Sequence, residues 1–89
     1  MYYVYVLQSR KDSRLYTGYT NNLRRRLAEH SGEGGKSTKP RLLLQLLYYE
    51  AYMSQDDAKA REFKLKSSQG ASAALKRRLP HSLRQGRLV

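Results

Sequence analysis

The chain has 89 residues, no cysteine and no tryptophan, and carries 18 Lys+Arg against 7 Asp+Glu for a formal net charge of +11. That length holds one domain with a small core, the absence of cysteine excludes disulfides and thiolate-bound zinc, and the charge calls for an anionic partner, nucleic acid first. A merely soluble cationic surface, or a role in packing ribosomal RNA, is the bland alternative that charge alone leaves open. No stretch reaches the roughly 18 apolar residues of a membrane span, and the first residues show no signal-peptide pattern, so the expectation is a cytoplasmic protein without membrane contact.

Tyr2-Tyr3-Val4-Tyr5-Val6-Leu7 is aromatic and β-branched throughout, the composition of a central strand covered on both faces. Alternation puts Tyr3, Tyr5 and Leu7 on one face and Tyr2, Val4 and Val6 on the other. A polar connection with an Asp12-Ser13 turn signal leads to a second short strand, Leu15 to Tyr19, and a link of this kind predicts an antiparallel hairpin. Tyr16 and Gly18 then share a face, and Gly18 leaves room for something to approach the backbone closely.

Thr20, Asn21 and Asn22 are good N-cap residues, and Leu23 and Leu27 follow at i and i+4. The reading is a helix from about residue 21 to about residue 31, ended by the glycines at 32, 34 and 35. At about 100° per residue Arg24, Arg25 and Arg26 cannot all face one ligand, while His30 sits one turn after Arg26 on the same side. A basic loop with Lys36 and Lys39 suits a nucleic-acid contact or a mobile connection. Leu42 to Tyr49 is short and flanked by Pro40 and tyrosines, which favours a third strand over a helix.

Ser54 caps a further helix that has Asp56 and Asp57 in its first turn and runs to about Lys66. Ala58 and Leu65 lie close on its wheel, with Glu62 beside them at the edge of the apolar stripe. Glu62 is either a boundary glutamate paired with Arg61 or Lys66, or a carboxylate aimed into a cleft. Gly70 interrupts the pattern, Ala71 to Leu79 predicts a last helix, and Pro80 stops it. Residues 80–89 show no periodicity and read as a basic, frayed tail behind a single domain over 1–79.

No dinucleotide fingerprint, Walker A sequence or serine-hydrolase elbow is present. Phosphate chemistry needs less: a cation to polarise, a group to orient water and a donor for the leaving oxygen. A carboxylate, an arginine and phenols supply those parts. In their order and spacing these residues resemble the GIY-YIG nuclease superfamily, in particular its small standalone bacterial members. Tyr3-Val4-Tyr5 stands for the first motif and Tyr16-Thr17-Gly18 for the second, with ten residues between, and Arg26 falls ten after Tyr16. His30 and the segment Ala58-Lys59-Ala60-Arg61-Glu62 complete the set, and the likeness covers roughly residues 2–66.

The resemblance implies an α+β fold, a three-stranded antiparallel sheet flanked by helices in the order β-β-α-β-α-α. It implies a catalytic group of Tyr5, Tyr16, Arg26 and His30, and one weakly bound divalent ion, Mg2+ or Mn2+, at Glu62. One tyrosine would orient or deprotonate water, Arg26 would contact the phosphate, and His30 is the alternative proton carrier. Tyr19, Arg24, Arg25, Lys36, Lys39 and Lys66 are the candidate contacts to nucleic acid, DNA rather than RNA. The chain departs from the pattern at Tyr3 and Thr17, which are packing positions, and has no asparagine after Asn22 where some members carry one near the site. The expected function is metal-dependent endonucleolytic cleavage of DNA phosphodiester bonds at structured sites, with DNA repair as the setting. A non-catalytic nucleic-acid-binding module of the same fold is the alternative, and a protein partner that delivers the chain to DNA is a third.

Overall fold

The protein is described from a computed structural model covering residues 1–10, 12–30 and 44–87, apart from the side chains of His30 and residues 84–87. Its elements are β1 (Tyr2–Ser9), β2 (Leu15–Thr20), α1 (Leu23–His30), β3 (Leu44–Tyr52), α2 (Gln55–Ser67), α3 (Gln69–Arg77) and α4 (Pro80–Arg87). The strands form one antiparallel sheet in the order β2-β1-β3, so the most apolar strand is the central one. Val4, Val6 and Leu7 are each at most 2% exposed. Full burial of such a side chain stabilises by about 1.5–3 kcal/mol, which makes β1 the strand the fold can least lose.

Period-two alternation along β1 separates two environments. Val4 and Val6 join Ala58 and Leu65 of α2 and Leu75 of α3 in the main core, with Tyr2, Leu15, Tyr19, Tyr48 and Tyr52 packed against it. Tyr5 and Leu7, also buried, point to the opposite face. The β1–β2 turn is tied by Ser9 N–H donating to the Arg14 carbonyl at 2.9 Å and by Arg14 N–H donating to Asp12 Oδ1 at 3.1 Å. Ser13 adopts φ 64° there, a left-handed conformation that costs a non-glycine residue.

The helices start where capping chemistry places them. Asn22 Oδ1 accepts from Arg25 N–H at 3.1 Å to open α1, Ser54 Oγ accepts from Asp57 N–H to open α2, and Ser68 Oγ accepts from Ala71 N–H to open α3. The break between α2 and α3 therefore falls at Ser68, and Gly70 lies inside the first turn of α3 rather than interrupting the chain. The third strand runs to Tyr52, beyond the expected end at Tyr49, because Glu50, Ala51 and Tyr52 continue the ladder opposite Val4, Tyr3 and Tyr2. Residues 42 and 43 lie outside the described residues. The expected frayed tail is in fact helical over residues 80–87. Proline ends a helix but is well suited to the first position of the next, where its missing N–H needs no partner, and Pro80 holds that position in α4.

Helix α2 is fixed against the sheet by a polar clamp. Arg61 Nε donates to Glu50 Oε1 at 3.1 Å and Arg61 Nη2 to Glu50 Oε2 at 3.1 Å. Tyr48 Oη donates to Oε2 at 2.7 Å, and Tyr52 Oη donates to Oε1. Burial raises the Glu50 pKa, but hydrogen bonds from Arg61, Tyr52 and Tyr48 outweigh it and hold the carboxyl below its ordinary 4.5. The same contact, after burial, pushes the Tyr52 phenol up to about 12.

Two outcomes follow from this packing. A carboxyl whose folded pKa is depressed adds stability that is complete above its unfolded value and disappears as pH falls through the folded one. Glu50→Gln should therefore cost about 1–3 kcal/mol at neutral pH. In thermal melts from acid to neutral pH, its gap from the parent should close below 4.5, the ordinary value of the group. The second outcome concerns Gly18, which pairs with Tyr5 across the hairpin. A Cβ built on Gly18 would collide with the Tyr5 hydroxyl and the ring carbon that bears it, and the buried ring has little room to yield. Gly18→Ala should destabilise by about 1–3 kcal/mol. Adding Tyr5→Ala should relieve it, so a double-mutant cycle by chemical denaturation should show a coupling of about 1 kcal/mol or more.

Candidate active site

The hairpin register assembles the first part of the site. Tyr5 lies opposite Gly18 on β2 and Tyr49 on β3, and Leu7 lies opposite Tyr16. Paired residues project to the same side of a sheet, so Tyr5, Tyr16, Gly18 and Tyr49 share the face opposite the main core. The absent side chain of Gly18 is the space that the Tyr5 phenol fills. Tyr5 is 5% exposed and held in place, while Tyr16 is 44% exposed and stands at the rim. Tyr3 and Tyr49 extend this face with an edge-on ring contact, centroids 6.1 Å apart.

Helix α1 leaves directly from β2. The buried Thr20 fastens that exit: its Oγ1 accepts from Asn22 N–H at 3.0 Å and donates to the Asn22 carbonyl at 3.2 Å. One turn into the helix, Arg26 is half-exposed with Nη1 3.5 Å from Glu29 Oε1. Helix α2 brings Glu62 from the other side. With Ala58 and Leu65 buried and Arg61 held by Glu50, the azimuth of α2 is set and Glu62 falls on its flank. Its carboxylate meets Lys66 Nζ at 2.9 Å.

The hydroxyl of Tyr5 is where these elements meet electrostatically. Burial pushes its pKa up, the Arg26 cation pulls it down, and Glu62 and Glu29 push it up again, for a net rise above 10.0. Tyr5 is thus a protonated phenol at neutral pH, a fixed hydrogen-bond donor rather than a base. Arg26 offers planar donors suited to phosphate, and Tyr16 offers a second, accessible hydroxyl.

Among the described residues no group of three or more His, Cys, Asp or Glu converges to hold a metal ion. Glu62 is one carboxylate available to an ion, paired with Lys66, while Glu29 is taken up by Arg25 and Arg26. Magnesium is commonly held by one or two carboxylates, with substrate phosphate and water completing the shell, and this donor set fits that pattern.

The other residues singled out from sequence divide. Tyr19 lies on the core face, stacked on Tyr2 with centroids 6.4 Å apart and with Lys59 Nζ 5.7 Å from its ring, so the structure does not bring it to Tyr5. An odd count separates it from Tyr16, which in a strand reverses the face. Arg24 and Arg25 are exposed, and Arg25 Nε is 3.9 Å from Glu29. Lys66 occupies Glu62. The backbone of α1 extends to His30, whose side chain lies outside the described residues, as do Lys36 and Lys39.

Two features escaped the sequence reading. Glu29 attends both Arg25 and Arg26 and was signalled by its i+3 and i+4 spacing. The Glu50 clamp was signalled only in part: Tyr48, Glu50 and Tyr52 alternate onto one strand face, but nothing in the sequence ties them to Arg61.

Comparison with known proteins places this geometry. A family model described as the GIY-YIG catalytic domain matches residues 1–79. The chain is similar to a UPF0213 protein of Natronomonas pharaonis, 48% identical over 79 residues that cover 88% of each. It is similar also to one of Staphylococcus haemolyticus, 43% identical over 74% of this chain and 80% of that protein. The solution NMR structure of the UPF0213 protein BH0048 from Bacillus halodurans superposes with a TM-score of 0.58 at 31% identity, covering 94% of each chain. The matched span takes in every strand and helix from β1 through α3, and the chain belongs to the GIY-YIG nuclease family.

Proposed function

We propose that the protein is a metal-dependent endonuclease that hydrolyses DNA phosphodiester bonds, with a preference for structured sites such as nicks, flaps or branches. The observation that supports this reading is the sheet face that pairs the buried Tyr5 with Gly18 and sets Tyr16 beside it at the rim, next to the strand end from which α1 carries Arg26. Arg26, half-exposed on α1, supplies a cation for phosphate, and Glu62 on the flank of α2 supplies a carboxylate for a metal.

In this reading Arg26 binds the non-bridging phosphate oxygens and draws charge from them as it builds in the transition state. Tyr5, protonated and immobile, donates to a phosphate oxygen or to the attacking water. Tyr16, exposed at the rim, orients that water against phosphorus; a new water O–P bond forms as the bond to the leaving oxygen breaks. The proton released by the water passes to His30, the proton carrier on the helix that holds Arg26. A divalent ion at Glu62, Mg2+ or Mn2+, supplies charge stabilisation for the leaving oxygen when bound.

The second reading, a non-catalytic nucleic-acid-binding module, is favoured by one observation: Lys66 already neutralises Glu62 at 2.9 Å. Cleavage separates the two. The parent, with Mg2+ or Mn2+, should cut branched or flapped DNA, and Glu62→Ala and Arg26→Ala should each lose at least about 100-fold in rate, the scale of removing one transition-state contact. Glu62→Ala should still bind DNA in a gel-shift assay. A Glu62→Ala protein that cuts like the parent at saturating Mg2+ would sink the metal assignment. Lys66→Met should bind Mn2+ more tightly, by up to about fivefold, because the ion no longer displaces an ammonium group; paramagnetic broadening of the Glu62 amide signal reads this without any turnover.

A further inference from the structure

On the reverse face of β2 from Tyr16 lies a recess of about 500 Å³ that the catalytic reading does not use. Its floor is apolar, formed by Val6, Leu15, Leu65 and Leu75, three of them at most 6% exposed. Its rim is cationic: Arg14, Lys66 and Lys76 line it and all three are exposed. Thr17 and Ser72 add hydroxyls to its lining, and among the described residues no acidic residue lines it. Arg14 is 3.8 Å from Asp12, a loose and exposed pairing that leaves its guanidinium available.

An apolar floor under a ring of cations suits a ligand with a flat apolar body and a phosphate. Inorganic phosphate would leave the floor bare. The volume lies within the range of small-molecule sites, enough for one nucleotide and too small for a duplex. Thr17 faces this recess while its neighbours Tyr16 and Gly18 face the catalytic group, and β2 is an edge strand with one side free. A strand of nucleic acid that crosses this edge reaches both faces within a single residue of protein chain.

We propose that this recess is a nucleotide-binding site, taking one nucleotide that flanks the phosphate held at Arg26. The proposal rests on the nuclease reading for the direction of the strand, but the site itself is independent of cleavage.

The test uses the full chain labelled with 15N, titrated with deoxythymidine monophosphate, with a short oligothymidylate and with inorganic phosphate. Nucleotide and oligonucleotide should shift the amides of Thr17, Ser72 and Lys76, and phosphate should shift them less. A shift with the monophosphate as large as with the oligonucleotide assigns the site to free nucleotide; a shift with the oligonucleotide alone assigns it to a strand, and either supports the recess. Arg14→Glu and Lys76→Glu should each weaken the oligonucleotide about tenfold and reduce the salt slope by about 0.7, the value of one single-strand phosphate contact. Ser72→Phe, which fills the recess without changing charge, should weaken it comparably, whereas Lys64→Glu, exposed on α2 outside the recess, should change it less than about threefold. Lys76→Glu is exposed and keeps the test decisive should Ser72→Phe fail to fold. Shifts confined to Tyr16 and Arg26, or parent-like binding by Lys76→Glu, overturn the proposal even if DNA is cut. Binding in the recess by a parent that cuts nothing overturns the nuclease reading instead and leaves the site standing.

Discussion

The ion pair between Glu50 and Arg61 is the constraint that orients the site. Helix α2 touches the sheet through two small or aliphatic side chains, Ala58 and Leu65. Two apolar contacts seven residues apart leave a helix free to roll by a few tens of degrees. A paired guanidinium and carboxylate do not, because a small rotation would strand both charges away from water, a loss larger than any one apolar contact supplies. Tyr48 and Tyr52 saturate the remaining acceptor positions of the carboxylate, so the clamp has no slack to give. Glu62, next along the chain, inherits its direction from that arrangement.

A second constraint acts through the hairpin. The candidate catalytic face is made of phenols that differ in how firmly they are held. Tyr5 is immobilised because Gly18 gives it a seat, and burial keeps it protonated against the pull of Arg26. Tyr16, two strand positions from Gly18, has no such seat and stays accessible. Two tyrosines of the same chemistry are thereby separated into a buried donor and a solvent-accessible one. The sheet achieves this with one glycine, and the charge balance at the site comes from the helices on either side.

Much of this arrangement was legible in the sequence, for local reasons. Strand β1 announces itself by composition, the N-caps at Asn22 and Ser54 by side-chain chemistry, and the shared face of Tyr16 and Gly18 by parity. Glu62 at the margin of the apolar stripe followed from the helical step alone. The misses are of two physical kinds. Pro80 reads equally well as an end and as a beginning, and only the packing of the last helix against β3 decides between them. Tyr19, named with the candidate contacts to nucleic acid, is sent to the core face by strand alternation. The Glu50 clamp and the recess behind β2 depend on residues from distant elements, and no local pattern encodes a meeting of that kind.

Lys66 shows how the two faces of β2 are tied together. It is within 2.9 Å of Glu62 and also lines the recess with Arg14 and Lys76. A long ammonium side chain on a half-exposed helix face cannot satisfy a carboxylate and a phosphate in two places at full strength. A cation that takes Glu62 must release Lys66, and an anion that draws Lys66 toward the recess must leave Glu62 less neutralised. Linkage makes these two statements one: each ligand raises the affinity for the other by the same factor. The free energy at stake is that of a partly exposed ion pair, on the order of 0.2–1 kcal/mol. That is too small to act as a switch, but it has the right sign to favour metal and nucleic acid together over either alone. On the proposed readings, Glu62 would gain affinity for its ion when an anion in the recess draws Lys66 away.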